Sequence, residues 1–194
     1  MSLVVKFIVN YFFNPVEYPE IGIVDEAKDD NNIFGQTIGG LAKVRFPDYR
    51  KAYEGVDLPN VKRFMEQVEE LRALLMEDAP DASLLKNMDH MLNYGELFTM
   101  VVYAQLVLEG AKLNDVEDEL IDQMFSCFIK DMNKYALAQT NNHVNTEVQN
   151  EHLRKIALLG PVIDADRDFK FWQDFVQPLD GCYIMNDSVI GTEE

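Results

Sequence analysis

From Pro59 onward, the apolar residues of this chain recur at helical spacing. Between Pro59 and Met76 they are Val61, Phe64, Met65, Val68, Leu71, Leu74 and Leu75. Steps of three and four residues put them on one face of an amphipathic helix. Pro59 suits the first turn, where its missing N–H costs no hydrogen bond. A second helix is predicted from Pro80 to about Glu109, with Asp81 and Ser83 in its first turn and Gly110 as its C-terminal stop. Its second half, Leu97 to Leu108, is apolar on nearly every side. That pattern predicts a helix buried on several sides, at the centre of a bundle. A third is predicted from Asp115 to Ala138, with Asn114 as N-cap and Glu117 at the capping-box position. Its inner stripe is Leu120, Ile121, Met124, Phe125, Phe128, Met132 and Tyr135. A fourth, Thr146 to Leu158, carries Val148, His152, Leu153 and Ile156 and stops before Pro161. A fifth starts after Asp164, another capping residue; Phe169, Trp172, Phe175 and Val176 make its expected buried face, with Phe171 off that stripe.

The first 56 residues have another texture. Pro15, Pro19 and Pro47, with Gly22, Gly35, Gly39, Gly40 and Gly55, break the segment into short apolar runs. The longest, Val4 to Phe13, is compatible with a strand or a short buried helix. The expected organisation is an irregular amino-terminal arm over 1–56, a helical bundle over 57–182 and a frayed tail over 183–194. The expected fold is mostly α, a four- to five-helix bundle in which short loops make neighbours antiparallel.

Composition narrows the function. Of 194 residues, 47% are hydrophobic and 26% charged, as in ordinary globular domains. With 34 acidic and 17 basic residues the formal charge is −17. Phosphate binding needs clustered Lys and Arg, so nucleic acid and anionic membranes are not expected partners. Lys6 and Asn10 interrupt the amino-terminal apolar run, no small-residue cleavage site follows, and no stretch reaches 18 uninterrupted apolar residues. Neither a signal peptide nor a membrane span is expected. Cys127 and Cys182 have no metal or redox spacing, and Cys127 falls in an apolar helical stretch, where a buried free thiol is expected. The expected location is cytoplasmic.

Candidate chemistry is sparse. Asp115 to Asp122 holds five acids in eight residues, without the central Gly or final Glu of a calcium loop; an acidic first turn favoured by the helix dipole accounts for it. A di-metal carboxylate bundle needs Glu-x-x-His steps, but Asn87, Thr140 and Gln149 stand three residues before His90, His143 and His152. Glu96 and Glu109, on the central helix, are read as structural partners of Lys or Arg. His90 is read as solvated or capping and His152 as part of a mixed helix face. The glycines of Phe34 to Gly40 lack the Lys-Ser/Thr of a phosphate loop, and no nucleophile elbow occurs. No catalytic, cofactor-binding or metal-binding residue is assigned. The aromatic cluster Phe169, Phe171, Trp172 and Phe175 is the candidate interface, with core packing the favoured reading of those residues, and the Val4 to Phe13 run is the alternative association surface.

Three stretches carry a resemblance: Phe12 to Gly22 (FFNPVEYPEIG), Arg45 to Tyr53 (RFPDYRKAY) and Gly95 to Glu109 (GELFTMVVYAQLVLE). Together they resemble the carboxyl-terminal helical region of long bacterial acyl-CoA dehydrogenases. In those enzymes the FAD, the acyl-CoA thioester and the catalytic glutamate belong to the preceding core, none of which is found in this sequence. The resemblance therefore implies an accessory or oligomerisation domain, non-catalytic in isolation, as a homodimer or on a dehydrogenase core. The alternative is a stand-alone module that binds a protein partner, or an apolar, acyl-type ligand between the second, third and fifth predicted helices. Acids in an interhelical cleft would be the basis of a third reading, a free-standing enzyme.

Overall fold

A computed structural model describes residues 3–18, 44–81 and 84–182, apart from the side chain of Leu85. The fold is all-α: the described residues form seven α-helices and no strand. They are α1 Leu3–Phe13, α2 Arg50–Tyr53, α3 Pro59–Glu77, α4 Met88–Leu113, α5 Asp118–Thr140, α6 Glu147–Leu158 and α7 Ala165–Phe171. A π-helical turn, Trp172–Val176, and a 3-10 turn, Gln177–Leu179, continue α7. Residues 19–43 and the tail 183–194 lie outside the described residues, so the expectations about them stand apart from the fold.

Local signals set most helix ends. Pro59 opens α3 as its spacing suggests. Thr146 caps α6 and forms a full capping box with Gln149. Asp164 caps α7, accepting from the backbone N–H groups of Asp166 and Arg167. Three ends differ from expectation, the third being the start of α5, which Glu117 and not Asn114 precedes. Pro80 does not open the second long helix; a 3-10 turn, Leu84–Lys86, comes first, and Asn87 caps α4 by accepting from His90 N at 3.1 Å. Nor does Gly110 end it: α4 runs to Leu113, Asn114 closes it, and Asp115 turns with φ 49° before α5 begins after Glu117. Asp tolerates that left-handed conformation better than most residues.

The centre of the molecule is α5, which packs against α3, α4, α6 and α7. The sequence pattern pointed to α4 instead. Hydrophobicity all round a helix says that water is unfavourable on every side; it does not say how many neighbours are supplied. One core joins all the long helices, with Phe64, Leu71, Leu97, Val101, Phe125, Ile129, Met132, Leu153 and Ile156 buried in it. It includes the amino terminus. Val4 to Phe13 takes the helical option, with Ile8, Tyr11 and Phe12 buried. Tyr11 stacks on Tyr49 at 5.1 Å and meets Phe46 and Phe98 edge-on at 5.4 Å. Irregular backbone is therefore not the state of Leu3–Phe13 or of Arg50–Tyr53. At the other end α7 contributes no buried residue. Phe169, Trp172 and Val176, expected to face inward, are exposed. Cys127 also differs from expectation: it is exposed, on the side of α5 away from the core, and both cysteines are free.

Candidate functional site

The titratable groups show first what chemistry is open to the molecule. His152 is buried between two carboxylates, with Nδ1 at 2.7 Å from Glu70 Oε1 and Nε2 at 3.1 Å from Glu77 Oε2. Lys155 adds a contact to Glu70 at 3.1 Å. Both imidazole nitrogens are occupied, so the ring clamps α6 to α3 and offers no free nitrogen to a substrate or metal. This replaces the reading of a mixed helix face.

His90 is fully buried, not solvated. Gln139 Nε2 donates to its Nδ1 at 2.8 Å and to Asn145 Oδ1 at 3.2 Å, which orients the amide. The neutral ring must then carry its proton on Nε2, which has no partner. Burial holds the His90 pKa below its ordinary value. A second proton would have to face the Gln139 donor, which the geometry also opposes.

The acidic run at the start of α5 has structural uses. Asp122, buried, accepts from Asn60 N and Asn60 Nδ2, each at 2.8 Å. It thereby caps α3 from another helix, because Leu58 at the N-cap position has no side chain able to do so. Glu119 pairs with Lys170 at 2.5 Å, and that hydrogen bond holds its carboxyl below the usual range. Glu109 accepts from Tyr18 Oη at 2.7 Å and Gln105 Nε2 at 2.8 Å, partners other than the Lys or Arg expected. Glu96 is exposed. Among the described residues no group of three or more His, Cys, Asp or Glu is arranged to hold a metal ion.

What remains is apolar surface. On α4, Leu92, Tyr103 and Leu106 are 58%, 52% and 57% exposed, although the Tyr103 ring also meets Phe128 of α5 edge-on at 5.5 Å. Beside them lies an open groove of about 510 Å³ between α4, α1 and the strap before α2, lined by Phe7, Val44, Phe46, Phe98, Val102 and Leu106. From Leu92 to Leu106 the face extends about 21 Å at the α-helical rise. A second patch is on α7, where Phe169 stacks on Trp172 at 6.0 Å and Phe171 on Phe175 at 5.4 Å. Phe169 and Trp172 are exposed where the stripe expected them buried, Phe175 is half-buried, and Phe171, expected off the stripe, is half-buried too. The four aromatics are thus together on one short helix. The α4 face was missed, although its signal was in the sequence: a helix apolar all round with Tyr103 and Leu106 among its outward positions.

The class so defined is an acidic, all-α protein whose described residues leave apolar faces exposed. No family model, curated sequence or solved structure matches the chain. By length and composition α4 also passes the test for a membrane-crossing helix, a test that the core helix of a water-soluble protein passes equally.

Proposed function

We propose that this chain is a non-catalytic helical accessory module that associates through the uncovered face of α4 with a second copy of itself. In this reading α3 to α6 act as one antiparallel bundle, with α1 and α7 added at its sides. The observation that carries it is the row Leu92, Tyr103 and Leu106, more than half exposed on a helix otherwise built into the core. Exposed Glu96 and Thr99 interrupt the row, and its apolar part is the Tyr103–Leu106 end with the adjoining groove, the kind of area that marks an interaction site. A two-fold axis across α4 would place each row against its copy, so one patch suffices for a closed dimer. The aromatic patch on α7, Phe169, Phe171, Trp172 and Phe175, is the secondary contact. The resemblance to the carboxyl-terminal region of acyl-CoA dehydrogenases agrees with such a role and adds a dehydrogenase-type core, which would bring its own FAD, as the larger assembly. The proposed location is cytoplasmic.

Sedimentation equilibrium tests the reading. At micromolar concentration the chain is expected at twice 22.3 kDa, and Leu106→Glu is expected to return it to the monomer with an unchanged helical circular-dichroism spectrum. A monomer at every concentration would overturn self-association. An antibody blot of source extract separates the larger assembly: a band well above 22.3 kDa means the module belongs to a longer polypeptide.

A further inference from the structure

The segment formed by α7 and its π and 3-10 turns sorts its charges between two sides. Its two bases face α5 and are engaged there: Lys170 pairs with Glu119 at 2.5 Å, and Arg167 lies 4.0 Å from Asp122. Its acids stay outside. Asp166, Asp168 and Asp180 are exposed and form no ion pair among the described residues.

An apolar line runs along the outer side. Phe169, Trp172, Val176 and Leu179 are 58%, 45%, 42% and 49% exposed. Steps of three, four and three residues are the spacing of a helix–helix seam. The line survives the change of helix type. Trp172 begins the π turn that Val176 ends, a turn that closes in between four and five residues, and the 3-10 turn that follows eclipses residues three apart. From Phe169 to Leu179 the line is about 15 Å long at the helical rise. With Phe169 and Val176 at a and Trp172 and Leu179 at d, Asp166 and Asp180 fall at e and Asp168 at g, the positions that meet a partner's charges. Arg167 and Lys170 fall at f and b, on the back of the seam, where their contacts with α5 place them.

We propose that the outer face of α7 docks an amphipathic helix whose apolar stripe is flanked by lysine and arginine. Such a helix covers the Phe169 and Trp172 rings, the aromatic anchors of the face, and sets its bases against Asp166, Asp168 and Asp180. A second copy is a poor occupant, because its seam would bring the same acids against these. The proposal gives the secondary contact at α7 its partner and rests on that contact, not on the pairing of α4 with its copy.

Trp172 is the one tryptophan in the 194 residues, so its fluorescence reports on this face in the full chain. The probes are three synthetic helical peptides of about fourteen residues, enough to span the line. One has a leucine seam with lysine flanks, one the same seam with glutamate flanks, and one the same lysines with serine for every leucine. The leucine–lysine peptide is expected to blue-shift Trp172 emission saturably, and the other two to leave it unchanged. Its affinity is expected to fall about tenfold when Val176→Ser and Leu179→Ser are combined. Asp166→Asn, Asp168→Asn and Asp180→Asn together are expected to weaken it several-fold. Leu106→Glu, which separates the α4 pair, is expected to bind it as the unaltered chain does, so the two readings fail separately. No saturable response would overturn the proposal. So would an equal response to the leucine–glutamate peptide, or to the serine–lysine peptide, which would reduce the effect to the attraction of any polycation for a chain of charge −17. A response lost in Leu106→Glu but kept in the serine double variant would move the site to α4. A lower sedimentation mass in the double variant would make a second copy the occupant. If the double variant does not fold, the three peptides on the unaltered chain decide: a response to the leucine–lysine peptide alone supports the proposal, and any other pattern rejects it.

Discussion

His90, held mainly by Gln139, and Asp122, held mainly by Asn60 with Arg167 at 4.0 Å, each predict a different loss. The His90 pKa is depressed in the folded chain, so the unfolded chain binds the extra proton first. Stability is therefore complete above the ordinary histidine pKa of about 6.5 and declines as pH falls through it. Urea unfolding between pH 7.5 and 5 should show that decline, and His90→Gln should flatten it. A slope unchanged in the variant would assign the effect to other groups. At Asp122 the two accepted hydrogen bonds from Asn60 are charge-assisted and buried. Asp122→Ala should cost about 2–4 kcal/mol, read as a lower urea midpoint at unchanged m-value. A cost below about 1 kcal/mol would mean that water replaces the carboxylate. Neither role was legible in the sequence. Asp122 looked like one more acid in an acidic turn, and the distance from Asn60 to Asp122 along the chain hides their contact.

At the scale of elements, α6 is the helix whose signals and structure agree best. Thr146 and Gln149 satisfy one another's backbone groups, and Leu153 and Ile156 are buried as their spacing implies. Thr146→Ala should destabilise by about 1 kcal/mol. Amide exchange should accelerate first at Val148 and Gln149, in the uncapped turn; uniform acceleration along α6 would show that the cap supports the whole packing. By contrast α7 has a good cap, Asp164, and aromatic periodicity, yet buries nothing. Periodicity says which residues share a face. It cannot say whether this chain supplies the surface that covers that face, and at α7 and the outer side of α4 the described residues leave apolar side chains exposed.

Across the whole molecule, charge and apolar surface oppose one another. Each copy carries −17, so association through an apolar face works against long-range repulsion. The screening length shrinks from about 30 Å at 0.01 M salt to about 8 Å at 0.15 M. Dimerisation should therefore tighten as salt rises, as measured by sedimentation across that range. Weakening with salt would instead indicate contacts between opposite charges. At this scale the amino terminus matters too. Tyr11 reaches Gln105 Oε1 at 2.6 Å, and Gln105 passes the contact on to Glu109, so α1 is fastened to α4 by hydrogen bonds as well as by packing.

The sequence by itself determined the helical class, the positions of α3 and α6 to within a residue or so, the cap at Asp164, and the absence of any motif that announces chemistry. These are local matters, set by side chains three or four residues apart. The tertiary structure alone decided that α5 and not α4 is central, that α1 belongs to the core, and that His90 and His152 are buried. Each depends on residues tens of positions apart meeting in space. Hydrophobic burial is non-directional: it compels apolar faces to find cover but leaves the partner to be chosen by the packing of the whole chain.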